Sequence, residues 1–211
     1  RQAVANKGIA SSHITILDAL LKLRQVCCDP SLLKLNEAKK VKESAKLVLF
    51  LDLIEELLSE NKKILVFSQF TSMLAIIEEK MKSKKISYTK LTGSTRNREK
   101  AIEEFTSGKV DVFLISLKAG GVGLNLVEAD TVIHYDPWWN PAVENQATDR
   151  AYRIGQTKAV FVYKLIVENT IEQKILELQK KKQVIQDGIY DENKQQDDVK
   201  FSANELLELL K

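Results

Sequence analysis

The stretch DRAYRIGQT, residues 149–157, holds Arg150 and Arg153, two of only six arginines in a chain that carries twenty-six lysines. Lysine serves a solvated face equally well, whereas planar, bidentate contact with phosphate oxygens needs a guanidinium. Two arginines three positions apart therefore point to a phosphate ligand; the alternative is a surface ion pair with Asp149 or Glu144. A second candidate is SLKAGGVGLN, 116–125, where three glycines in four positions let a ligand approach the backbone and can turn several N–H groups toward phosphate. Its alternative is a tight strand-to-helix turn. The paired Trp138 and Trp139 in PWWN are either packing anchors or ligand contacts.

Other chemistries are disfavoured. The chain has no GxxxxGK[ST] loop, and the glycine cluster lacks the long helix and ribose-binding acid of a dinucleotide site. No nucleophile, base or metal cluster accompanies it, which argues against a small-molecule enzyme. Cys27 and Cys28 are adjacent and the two histidines far apart, so no metal site is expected and the thiols should be reduced and buried in a cytosolic setting. A formal net charge of +3 permits nucleic-acid binding without demanding it. No apolar run approaches the ~18 residues of a membrane span, and no signal peptide is evident. The chain begins at Arg1 rather than a methionine, which suggests the tail of a longer polypeptide.

These residues need a frame. Short apolar runs at 63–68, 88–92, 110–116, 131–136 and 160–167 read as strands, with helical patterns at 72–83, 96–106 and 141–154 between most of them. Continuously apolar strands separated by helices imply an α/β fold with a mostly parallel sheet covered on both faces. Ligands of such sheets gather at the carboxyl ends of the strands, where all three candidates lie. In the helix over 141–154, with Asn140 as N-cap and Pro141 in its first turn, Val143, Ala147, Ala151 and Ile154 form a docking stripe about 80° wide. Gln146, Arg150 and Arg153 form a second stripe centred about 90° from it, so the arginines should emerge beside the strand ends.

Outside this frame, residues 12–28 read as a helix with Ile14, Leu17, Leu20, Leu21 and Cys28 at helical spacing, followed by a polar linker at 35–43. Ser44 caps a helix to about residue 59, with Leu47, Leu51, Ile54 and Leu58 on one face. Thr170 and Gln173 form a capping box for a long helix ending near 186. A flexible linker at 187–200 and a short helix at 201–211, capped by Ser202 and Glu205, complete the chain.

Taken in order and spacing, KILVFSQFTSML, LTGSTRNREKAIEEF, ISLKAGGVGLNL, ADTVIHYDPWWNP and ENQATDRAYRIGQ resemble the second-lobe motifs of the SWI/SNF branch of superfamily-two helicases. The resemblance covers residues 64–156. In the flanks, LRQVCCDPSLL resembles the segment joining the two lobes, 160–186 the bracing strand and helix, and the ending that of bacterial members. It implies a three-layer RecA-like lobe at 44–168, a segment at 1–43 leading to a first lobe, and a bracing helix at 169–186. The family is implied to move along double-stranded DNA using ATP, whose P-loop and magnesium-holding acids belong to the first lobe. Neither motif occurs in this chain, so it is expected to be inactive alone, with ATP and Mg2+ held mainly by that partner lobe.

By the same resemblance, Arg150 and Arg153 match the arginine fingers that reach the γ-phosphate. Gln146 and Asn125 match residues that order that interface, and Gly121 and Gly123 would admit the nucleotide. Gln69, Ser94, Ser116, Lys118 and Trp139 match contacts to the DNA backbone. Tyr152 stands where the family usually has histidine, on the far side of the helix from the arginines. Thr92 stands where many members have an acid, which leaves that loop's role less defined. The lysine-rich composition and CCDP suggest a bacterial, cytoplasmic, nucleoid-associated protein. The alternative function is a free-standing nucleic-acid or protein-binding module without nucleotide chemistry.

Overall fold

A computed structural model describes residues 9–41, 43–120, 124–152, 156–188 and 209. In chain order the elements are α1 (Ile9–Cys28), α2 (Ala45–Ser59), β1 (Ile64–Ser68), α3 (Thr71–Ser83), β2 (Tyr88–Leu91), α4 (Arg98–Thr106), β3 (Val112–Ser116), a short α5 (Leu117–Gly120), β4 (Thr131–His134), α6 (Pro141–Thr148), β5 (Phe161–Lys164) and α7 (Ile171–Gly188). The sheet runs β2-β3-β1-β4-β5 and every pairing is parallel. Strands β1, β3 and β4 are buried throughout, which explains the apolar runs of β1 and β3 up to their terminal serines; β4 buries Thr131 and His134 as well as Val132 and Ile133.

Alternate residues of these strands serve two cores. Ile64, Val66, Val112, Leu114 and Ile133 meet Phe50 and Ile54 of α2 and Met73, Leu74 and Ile77 of α3. Leu65, Phe67, Phe113, Ile115 and Val132 meet Ala101 and Phe105 of α4 and Ala147 of α6. The adjacent strands β1 and β4 thus lead into helices on opposite faces, α3 and α6, and the topological switch point lies between them.

Local capping follows the sequence. Ser44 accepts from Leu47 N–H and Asn140 from Ala142 N–H. At α7 the cap departs from the expected reciprocal box: Thr170 accepts from Glu172 N–H rather than from Gln173 N–H, and Gln173 accepts from Asn169 N–H.

Three expectations are corrected. In α1, Ile14, Leu17 and Leu21 are exposed, and the buried row is Ile16, Leu20, Arg24 and Cys28. Helix α1 is apolar on more than one side, and the charge in the middle of the buried row hides that row in the sequence. The edge strand β5 is not covered on both faces: Phe161 and Val162 are 51% and 44% exposed. Finally, α6 stops at Thr148 rather than continuing to 154. Beyond it the Arg150 carbonyl accepts from Leu126 N–H at 3.0 Å and the Ala151 carbonyl from Gln156 Nε2 at 3.1 Å. Carbonyls that would have continued the helix are turned to tertiary partners. The linker at 187–200 and the helix at 201–211 lie almost wholly outside the described residues.

Candidate functional site

The carboxyl edge of the sheet gathers the strand-end candidates in sheet order. Ser94 lies in the loop after β2, Ser116 ends β3 in register with Ser68, Gln69 follows β1, and Trp139 lies in the loop after β4. Ser94 and Lys118 are exposed, Gln69 and Trp139 half-buried, and Ser116 buried. Ser94 shares a 2.9 Å hydroxyl contact with Thr92, whose N–H donates to Thr95 Oγ1 at 2.9 Å. Hydroxyls therefore brace this turn at the position where an acid was noted as missing.

A second group lies where α5 meets α6. Asn125 and Gln146 are exposed, and the hydrogen bond from Leu126 N–H to the Arg150 carbonyl brings their two segments together. Arg150 itself is only 4% exposed, so it does not emerge on an outer helical face as the 141–154 helix implied. Tyr152 is 70% exposed. Gly121, Gly123 and Arg153 lie outside the described residues. Gly120 has a packing reason for its identity, because a Cβ there would stand 3.1 Å from the Phe67 ring and 3.3 Å from Ile115. Gln156 holds the base of this region, donating from Nε2 to the carbonyls of Val127, Ala129 and Ala151.

The switch point itself is filled from within the chain. Asp136, 1% exposed, accepts from Ser68 Oγ at 2.5 Å and Gln69 N–H at 3.4 Å. Burial pushes its carboxyl up to about 6, a rise that Arg24 partly offsets. Arg24 reaches in from α1, donates from Nη2 to the Pro137 carbonyl at 2.6 Å, and stands 3.7 Å from Asp136. Burial likewise lowers the Arg24 pKa, opposed chiefly by Asp136. Two residues back, at the end of β4, buried His134 stacks on Phe67 and meets Thr148 Oγ1 at 3.0 Å. Burial holds His134 down at about 4, so its ring is neutral at physiological pH.

Glu144 was a candidate partner for the arginines, but it is fully buried and engaged elsewhere. It accepts from Lys164 Nζ of β5 at 2.6 Å, Trp138 N–H at 2.6 Å and Gln179 Nε2 of α7 at 3.2 Å. Gln179 also donates to the Trp138 carbonyl. Lys46 of α2 donates to both carboxylate oxygens of Glu172 and to the carbonyls of Tyr135 and Leu165. Both tryptophans therefore pack: Trp138 lies against the α4–α6 core, and Trp139 against Ile16, Leu20, Ile171 and Ile175 between α1 and α7.

Sequence reasoning missed Arg24, Lys46, Asp136, Glu172 and Gln156. For Arg24 a signal existed, since it is another of the six arginines and stands inside an apolar helix. The buried lysine and acids carry no such mark. Among the described residues no group of three or more His, Cys, Asp or Glu side chains is arranged to hold a metal, and no helix is long and apolar enough to cross a membrane.

Residues 45–155 match the model of the helicase conserved C-terminal domain. An uncharacterized ATP-dependent helicase of Mycoplasma genitalium is 44% identical over 82% of this chain and 17% of its own length. The putative ATP-dependent helicase/translocase YwqA of Bacillus subtilis is 41% identical over 82% of this chain and 19% of its own. The SWI2/SNF2 ATPase core of Sulfolobus solfataricus, solved in complex with double-stranded DNA, superposes with a TM-score of 0.67 at 41% identity, covering 81% of this chain and 36% of that one. The chain thus spans under one fifth of the length of the two helicases it matches.

Proposed function

The chain belongs to the helicase conserved C-terminal domain family, and on that premise we propose that it is the second lobe of an ATP-dependent double-stranded-DNA translocase of the SWI/SNF type. ATP, held with Mg2+ mainly by the first lobe, supplies the phosphoryl group whose transfer drives movement. The residues of this chain complete that site and grip the track. Arg150 and Arg153 are arginine fingers that stabilise charge on the transferring phosphoryl group. Asn125 and Gln146 order the interface, and Gly121 and Gly123 leave room for the nucleotide. Arg150 is buried in a turn whose backbone is fastened by Leu126 and Gln156, which suits a group that must be held in place rather than free to swing.

The other half of the reading is the DNA contact. Gln69, Ser94, Ser116, Lys118 and Trp139 meet backbone phosphates and sugars, so binding is non-specific and weakens with salt. The observation that carries the proposal is the gathering of these residues along one edge of the sheet, with the Asn125–Arg150 region on the same lobe. Without the first lobe the chain hydrolyses no ATP.

The test uses the full-length parent protein. Arg150→Ala and Arg153→Ala are each expected to lower DNA-stimulated ATP turnover by ~10³-fold while duplex binding persists. Near-normal turnover in either variant overturns the finger assignment.

A further inference from the structure

Arg24 is the largest fully buried side chain among the described residues, yet its charge is poorly compensated. Its carboxylate partner stands at 3.7 Å, beyond hydrogen-bond reach, and its Nε has no hydrogen-bond partner among the described residues. A buried pair of this quality does not favour stability over a well-packed apolar side chain. What surrounds the guanidinium is aromatic: the Trp139 ring at 4.7 Å, Trp138 at 5.4 Å and Phe70 at 5.6 Å. Its one hydrogen bond among the described residues goes to the carbonyl of Pro137, the residue before the two tryptophans. Ile16 and Leu20, two and one turns earlier on α1, belong to the apolar cluster against which Trp139 packs. A planar guanidinium that faces two indoles and holds the preceding carbonyl constrains ring orientation in a way neither leucine nor lysine reproduces.

We propose that Arg24 is a positioning residue for the tryptophan loop: it locks Trp138 and Trp139 to α1, so that α1 and the DNA-contacting edge move as one unit. The inference deepens the function proposed above and rests on its assignment of Trp139 to DNA contact.

Trp138 and Trp139 are the only tryptophans in the chain, so intrinsic fluorescence reports this loop alone. The variants are Arg24→Lys and the double variant Arg24→Met with Asp136→Asn, which removes the acid that would otherwise be orphaned. In chains that retain native far-ultraviolet dichroism, the acrylamide quenching constant is expected to rise about two- to threefold in both. Affinity for a short mixed-sequence DNA duplex at low salt should fall about 5- to 10-fold. If Arg24 merely neutralises Asp136, the double variant quenches and binds like the wild type, and the proposal is overturned. Should the double variant not fold, Arg24→Lys decides alone: wild-type quenching overturns the proposal. Trp139→Ala separates the two readings, because unchanged duplex affinity there removes the DNA-contact assignment while quenching still tests the positioning role.

Discussion

Two buried ion pairs fasten helices to the carboxyl edge of the sheet, and they are built to different standards. Lys46 of α2 meets both oxygens of Glu172 on α7 at 2.7 and 2.5 Å, and two backbone carbonyls at 3.0 Å absorb its remaining donor capacity. Glu172 also accepts from Val167 N–H at 2.9 Å. Arg24 and Asp136 stand 3.7 Å apart, and burial shifts both toward their neutral forms. Desolvation is offset by geometry in the first pair and is not in the second. A clamp that joins α2, α7 and two strand ends belongs to the static frame. A loose pair ringed by aromatic side chains belongs where orientation matters more than stability.

The largest effect should come from breaking the tight pair. Lys46→Met leaves Glu172 buried without its cation and is expected to cost about 3–5 kcal/mol, read from urea unfolding at neutral pH. A loss below about 1 kcal/mol would show that the clamp is no better than its neighbour.

Next in size is a pH effect that isolates the loose pair. The Asp136 pKa is raised on folding, so its contribution is fully present below the unfolded value of 3.8 and is lost as pH rises through about 6. The His134 pKa is depressed, so its contribution is present above 6.5 and is lost as pH falls toward about 4. Glu144 and Lys164 act on His134, while Arg24 and Lys46 act on Asp136. In the wild type the two dependences largely cancel between pH 6 and 4. Asp136→Asn removes one of them, so stability of the variant relative to wild type should fall by about 3 kcal/mol across that window. Parallel pH profiles for the two proteins would contradict the raised Asp136 pKa.

The smallest effect sharpens the comparison at an intermediate site. Glu144 is fully buried, but its partner Lys164 has a side chain that is 33% exposed and can turn to water. Glu144→Gln is therefore expected to cost about 2 kcal/mol, less than the loss at Lys46. Thermal unfolding at neutral pH checks that order.

Much of the fold was legible because the signals were local. Ser44 and Asn140 cap the helices they precede, and the apolar runs became strands within a few residues of their expected ends. The family motifs likewise lie in contiguous blocks, four of which span a strand end and the loop after it while the fifth, from Glu144, covers most of α6 and the turn that follows. Less was legible where a residue's partner is remote. Glu144 was read beside the arginines six and nine positions away, yet its cation is Lys164, twenty positions on in another element. The Arg24–Pro137 and Lys46–Glu172 contacts span 113 and 126 positions.

The sequence by itself determined the α/β alternation, the parallel sheet and the membership in a helicase family. Those follow from residue periodicity, caps and short motifs whose physics acts within a turn or a strand. Only the tertiary structure decided which row of α1 is buried, where α6 ends, and that Arg150 lies beneath the surface. Each of these depends on competition among partners brought together by folding: α7 against water for the faces of α1, and Leu126 and Gln156 against the next helical turn for the carbonyls after Thr148. Local propensity cannot rank such partners, because the free energy that separates them arises only once distant segments are packed.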